Sequence, residues 1–153
     1  MMIGVPGSGK STWIKKHNTG GTMVASSDAY IDTEAERQGK TYNDVFKSTI
    51  KAANNHAQSV AKKAFELGLD LIWDQTSTTI ASRARKFNAL PDYEHIAVVF
   101  ATPELNELHR RLASRPGKNI PSDVMVQMIK GLQMPTTDEG FKEIWNVPQN
   151  ECI

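Results

Sequence analysis

Apolar residues return along this chain of 153 residues in two alternating rhythms. Short apolar runs at 1–3, 22–26, 69–73 and 96–101, with a weaker one at 144–147, have the length and composition of strands. Between them, 11–17, 42–67, 80–88, 104–114 and 122–132 carry helical spacing. In the longest stretch Phe46, Ile50, Ala53, Ala57, Val60, Ala61, Ala64 and Phe65 fall on one face, and Gly68 supplies a stop. Pro121 followed by Ser122 and Asp123 marks another helix start. Strand–helix alternation predicts an α/β fold in three layers, a parallel sheet of about five short strands covered on both faces. Ligands of such sheets lie beyond the carboxyl ends of the strands, so the residues that follow each strand become site candidates.

The first of these junctions is the most informative. Gly4-Val5-Pro6-Gly7-Ser8-Gly9-Lys10-Ser11 fits the phosphate-loop pattern G-x-x-x-x-G-K-[ST]. Glycines let successive backbone N–H groups turn in around phosphates, Lys10 reaches the β and γ oxygens, and the Ser11 hydroxyl ligates Mg²⁺. Thr12 opens a helix whose positive end faces the anion. The plain alternative is a glycine-rich turn. An apolar strand before the loop and a helix after it favour a nucleoside triphosphate, ATP or another NTP, carried with Mg²⁺. A first strand of about three residues is shorter than the usual five or six. Either it is a truncated strand or the start has lost residues.

Composition narrows the setting. The length suits one domain over 1–153. With 18 basic and 17 acidic residues the net charge is +1, so any nucleic-acid surface must be local. A single cysteine, Cys152, excludes an internal disulfide and fits a reducing cytoplasm. No apolar run approaches the ~18 residues of a membrane span and no signal peptide precedes the loop. The expectation is a soluble cytoplasmic protein, in the host cytoplasm if phage-borne, without a membrane partner. His17, His56, His95 and His109 share no ligand spacing, and Trp13, Trp73 and Trp145 read as core.

Three further clusters can carry chemistry. Asp28 follows the second strand, where a carboxylate can accept the proton of an attacking hydroxyl; as a structural residue it would cap a helix near Asp32. Asp74 ends the third strand, as an acid that holds a magnesium-bound water does. Arg115 sits at the Pro116-Gly117 break after a helix, placed to swing over phosphates as part of a lid at about 113–121. Arg110 and Arg111 read instead as a solvated helix end. Ser82-Arg83-Ala84-Arg85-Lys86 makes a small basic face, for which solvation is the usual explanation and a phosphodiester backbone the functional one.

In this order the segments resemble the P-loop kinase module of polynucleotide 5′-hydroxyl kinases, over about residues 3–135. The loop from Gly4 to Trp13 is similar to that of the bacteriophage enzyme. Ser27-Asp28-Ala29-Tyr30 resembles the family element whose first Asp is the general base. Asp74-Gln75-Thr76 with Ser82–Arg85 is similar to the metazoan segment after the third strand. Residues 113–121 resemble the lid whose Arg contacts the transferring phosphate. The resemblance implies a three-layer P-loop NTPase/kinase fold and transfer of the ATP γ-phosphoryl group. Asp28, Lys10 and Arg115 would be catalytic, Ser11 and Asp74 would serve the metal, and Gly4, Pro6, Gly7, Ser8, Gly9, Lys10, Ser11, Thr12 and Arg115 would bind the nucleotide. Tyr30, Thr76, Arg83 and Arg85 are the acceptor-side candidates. The implied acceptor is a polynucleotide 5′ end. Departures concern that acceptor: Ser27 replaces an Arg before the base, Ile31 stands where the phage enzyme grips a 3′ phosphate, and Gln75-Thr76 replaces a Thr-Asn pair. No D-x-D-x-T phosphatase motif occurs. A small-molecule acceptor such as a nucleoside or sugar is the alternative, and a nucleotide-dependent switch is a further one.

Overall fold

The computed structural model describes residues 1–151; Cys152, and with it the expectation about disulfides, lies outside the described residues. Five strands, β1 (Met2–Ile3), β2 (Thr22–Ser26), β3 (Asp70–Asp74), β4 (His95–Phe100) and β5 (Phe141–Val147), alternate with helices. These are α1 (Lys10–His17), α2 (Ser27–Gln38), α3 (Tyr42–Glu66), α4 (Ile80–Ala89), α5 (Leu105–Ala113) and α6 (Ser122–Lys130). Every pairing is parallel: β2 with β3, from Thr22 opposite Asp70 to Ser26 opposite Asp74, and β1 with β4 and β4 with β5. The Gly4 N–H donates to the Thr76 carbonyl at 3.0 Å and ties the end of β1 to the segment after β3. All carboxyl ends therefore share one rim, as an α/β parallel sheet requires.

Alternation within the strands explains the two buried faces. Ile3, Ala25, Trp73, Ala97 and Val99 point to one side, where Ala57 and Ala61 of α3 and Leu90 meet them. Met2, Val98, Phe100 and Val147 point to the other, under Ile14 and Trp13 of α1. Burying a side chain such as Ile3 or Phe100 stabilises by roughly 2–3 kcal/mol. The two residues of β1 are both buried, so even this short strand contributes to both layers.

Helix α3 packs through a narrower face than its sequence suggested. Val45, Thr49, Ala53, Ala57, Ala61 and Ala64 are buried at steps of three and four, whereas Phe46 and Phe65 are 38% and 47% exposed. Small side chains let the helix axis approach the sheet, and the two aromatics fall outside that contact. Thr41 and Asp44 form a capping box at its start. Gly68, at φ +63°, ends it with the Leu69 N–H on Ala64 and its own N–H on Phe65.

Helix α2 was anticipated only as a helix near Asp32 that Asp28 would cap; it begins earlier, at Ser27, with Ser26 as its cap. Only Ile31 and Ala35 are buried in it, too few to set a readable period, and it follows β2 without a loop because the Ser26 hydroxyl accepts the Ala29 N–H at 3.3 Å. Ile31 is buried against Ala35, Val45 and Ala53, which accounts for an apolar residue there. Strand β5 begins at Phe141, three residues before the expected start. No helix among the described residues is long and apolar enough to cross a membrane.

Arg83 corrects the sequence reading most sharply. Expected on the acceptor side, it is 0% exposed. Its Nε and Nη2 donate to Glu139 at 2.8 Å each, and its Nη1 donates to the carbonyls of Ser77 and Gln133 at 3.0 and 2.9 Å. It is a buried fork joining α4 to two connections, because a guanidinium lacking these partners would be costly there. Arg83→Ala should therefore destabilise by about 3–5 kcal/mol, lowering Tm by on the order of 10 °C. The Arg83 bond is the main cause holding the Glu139 carboxyl below 4.5. The pair's contribution is thus full above about pH 4.5 and lost as pH falls through the lower folded value. Thermal melts of wild type and variant across pH 3–6 should converge at the acid end.

Candidate active site

The loop between β1 and α1 is shaped by its glycines. Gly9, at φ +102°, caps α1, and Gly7, at φ +83°, would bring a Cβ within 2.8 Å of Leu108 Cδ1. Val5 is anchored in an apolar cluster with Leu108, Leu112 and Met125, so α5 and α6 hold the loop from behind. The first turn of α1 has no acidic residue, and its end is open to an anion.

Lys10 is buried, and its ammonium donates to the Gly4 and Val5 carbonyls at 2.9 Å each. Burial pushes its pKa down to about 8, against the opposing pull of Asp74 and Asp28. Arg111 departs from the expected solvated helix end. It braces the loop, with Nη1 on the Gly7 carbonyl at 3.2 Å and on Gln149 at 2.8 Å, and Nε on Glu107 at 2.6 Å. Arg110 is solvated as expected and pairs with Glu107 at 2.8 Å.

Asp28 lies in the first turn of α2, its side chain 54% exposed. Tyr42 OH donates to its Oδ1 at 2.7 Å and Lys118 Nζ to its Oδ2 at 2.6 Å. Burial alone would raise its pKa, but the charge and hydrogen bond of Lys118, with the Tyr42 hydroxyl, more than offset this and hold it below 3.8. The carboxylate is thus ionised throughout the neutral range. Lys118 also lies 4.1 Å above the Tyr42 ring.

Lys118 belongs to the 113–121 segment, which is fastened to the start of α3. The Asn43 N–H donates to the Gly117 carbonyl at 3.1 Å. Asn43 Nδ2 donates to the Asn119 carbonyl at 2.9 Å, and the Asn119 N–H returns to Asn43 Oδ1 at 3.1 Å. A Cβ on Gly117, at φ +70°, would meet Thr41 Cβ at 2.7 Å. Arg115, on the same segment, is exposed and its guanidinium has no hydrogen bond or ion pair among the described residues. It lines the cleft above the loop.

That cleft has a volume of about 420 Å³. Its floor is Pro6, Gly7, Gly9, Lys10 and Ser11, with Asp28, Asp74, Thr76, Arg85 and Arg115 around it. Asp74 stands opposite Ser26, whose hydroxyl bonds it; burial raises its pKa and Lys10 opposes the rise. Ten sequence-predicted residues are thus brought together. Gly4 and Ser8 lie behind the wall, the former holding Lys10 through its carbonyl and the latter fully buried. Thr12 is exposed on α1, and Tyr30 is turned to His56 with ring centroids 5.0 Å apart, away from the cleft. Arg83 is in the interior.

Sequence reasoning missed Asn54, Gln58 and Ser77 among the lining residues, and had Lys86 only as part of the small basic face. Asn54 and Gln58 stand one turn apart beside the alanine face of α3, a signal visible in hindsight. Tyr42 gives none, because its partner is 14 residues away. No group of three or more His, Cys, Asp or Glu able to hold a metal occurs among the described residues. One hydroxyl (Ser11) and one carboxylate (Asp74) fit Mg²⁺, which keeps waters and takes substrate phosphate oxygens rather than an all-protein cage.

Residues 1–135 match the model of the family AAA_33, an AAA domain. This is a P-loop kinase-like family, and nucleotide binding follows from it.

Lys10 must carry its proton to pair with phosphates. Nucleotide affinity should therefore fall as pH rises through about 8. Lys10→Met should weaken binding about 10- to 100-fold, the loss of a charge-assisted bond worth roughly 1.5–3 kcal/mol. It should also remove that alkaline limb, as a fluorescent ATP analogue titrated between pH 6.5 and 9.5 would show.

Proposed function

We propose phosphoryl transfer to a hydroxyl for this chain, which belongs to the AAA_33 family, with the 5′-hydroxyl of a polynucleotide as acceptor. The observation that carries the reading is Asp28: an ionised carboxylate with half its side chain exposed, on the rim shared with Lys10, Asp74 and Arg115. A P-loop that only switched a partner would have no need of a base there. The choice of acceptor rests on the resemblance of the segments around Asp28, Asp74 and Arg115 to polynucleotide kinases.

In this reading Gly7 and Gly9 present backbone N–H groups to the phosphates, Ser8 holds the turn with its N–H on the Val5 carbonyl at 3.2 Å, and Lys10 leaves its carbonyl partners for the β and γ oxygens. Ser11 and Asp74 would hold Mg²⁺, which would supply charge compensation for the nucleotide's phosphates. Asp28 accepts the proton of the acceptor hydroxyl as its oxygen attacks the γ-phosphorus and the bond to the β-phosphate oxygen breaks. ADP leaves with that electron pair. Arg115, without a partner of its own, is free to neutralise the group in transit. The Lys118 ion pair must loosen or share Asp28 as the acceptor enters.

Incubation with γ-labelled ATP, Mg²⁺ and a 5′-hydroxyl oligonucleotide should label it and leave a 5′-phosphorylated control unlabelled. Nucleotide binding without label on the first would reject the polynucleotide acceptor. Asp28→Ala should abolish transfer and leave ATP binding intact; unchanged turnover would remove Asp28 from the mechanism. Arg115→Ala should lower turnover by about 10³-fold, as for other arginines that stabilise a transferring phosphoryl group.

A further inference from the structure

The wall of the cleft between α3 and α4 holds positive charge that nothing acidic balances. Lys86 is 8% exposed, yet no carboxylate among the described residues lies within ion-pair distance of it. Its ammonium donates to Ser77 Oγ at 2.8 Å and lies 5.9 Å from the centre of the Trp73 ring. Arg85, one residue before it, lines the same wall with only a 3.4 Å contact to the Ala81 carbonyl. Arg83 nearby is already committed to Glu139. A buried ammonium with a hydroxyl as its sole hydrogen-bond acceptor is poorly compensated for lost hydration. Accordingly burial, with Arg85 and Arg83, pushes its pKa down to about 8.

Two other features bear on the same place. Ser77 adopts φ +47°, a left-handed conformation unusual for a side-chain-bearing residue, and Arg83 holds its carbonyl. In that conformation the Ser77 hydroxyl accepts from Lys86 at 2.8 Å. On α3, Asn54 and Gln58 line the same cleft with amide groups that have no hydrogen-bond partner among the described residues. Gln58 also borders a recess with Trp73, the ring beside Lys86, and no carboxylate is among the charges that act on Lys86.

We propose that the cleft lining between α3 and α4 is an anion subsite, in which Lys86 and Arg85 grip a phosphate ester carried by the hydroxyl acceptor. The inference rests on the reading of the cleft as a phosphoryl-transfer site. Ser77 gives up the Lys86 ammonium as the phosphate arrives, and Asn54 and Gln58 donate from α3. The phosphate can come from the 3′ side of a nucleotide or from a small phosphorylated hydroxyl compound; both offer the same oxygens.

Equilibrium binding to protein loaded with Mg²⁺ and a non-hydrolysable ATP analogue tests this without turnover. The probes are a nucleoside, its 3′-monophosphate and ribose 5-phosphate. At least one phosphorylated probe should bind about tenfold or more tightly than the nucleoside, the gain of one or two charge-assisted bonds. Preference for the nucleotide identifies a polynucleotide-type acceptor, and preference for the sugar phosphate identifies a small metabolite; both support the subsite. Lys86→Met and, separately, Arg85→Gln, an exposed position that does not endanger folding, should bring the advantage toward one. Equal binding of all three probes, or an advantage that survives in both variants, overturns the inference. Loss of transfer in the labelled-oligonucleotide assay with this phosphate advantage intact would instead count against the choice of acceptor alone.

Discussion

Taking the Lys10 ammonium out of water costs roughly several kcal/mol, and much of the structure is arranged around it. Two loop carbonyls accept its hydrogens, and the carboxylates of Asp28 and Asp74 act on it through a poorly solvated rim. Those carboxylates come from the ends of two different strands. They reach the lysine only because β2 and β3 run parallel in register and β1 is tied beside them through Gly4 and Thr76. In the proposed reaction Lys10 would exchange these carbonyl partners for phosphate oxygens. Arg111 and the apolar cluster around Val5 hold the loop in shape independently of Lys10.

The second organising contact joins two sides of the cleft. Lys118 reaches from the 113–121 segment to Asp28, and Asn43 and Asn119 bond that segment to α3 in both directions. Arg115 is therefore presented by a backbone whose neighbours are fixed, while its own side chain is unengaged. Arg115 and Lys118 are three residues apart on the one segment, so under the proposed phosphoryl transfer the group that would meet the phosphate and the group that holds Asp28 would be positioned together.

The chain made its sheet legible because strands buried on both faces are apolar throughout, and because the phosphate loop has a strict spacing that only one junction satisfies. Asp28, Asp74 and Thr76 could be located by the rule that ligands gather at the carboxyl ends of strands, Arg115 by the Pro-Gly break that ends its helix, and Arg85 by a small basic face. What stayed hidden has physical causes. Helix α2 buries two residues, so its period is faint. Arg83 looked like its neighbour Arg85 because charge gives no sign of burial; its partner Glu139 is 56 residues away. Tyr42 and Lys118 meet Asp28 through folding alone, 14 and 90 residues apart from it. Tyr30, two residues past the expected base, turned to α3 because a helix at about 100° per residue sets it about 200° round from Asp28.

The account stands on Asp28 meeting the acceptor. A crystal structure with Mg²⁺, a non-hydrolysable ATP analogue and a 5′-hydroxyl oligonucleotide tests it most directly. The hydroxyl oxygen should lie within about 3.2 Å of an Asp28 carboxylate oxygen and in line with the γ-phosphorus. An acceptor hydroxyl bound away from Asp28, with the Lys118 ion pair unchanged and the γ-phosphate facing only water, would contradict it.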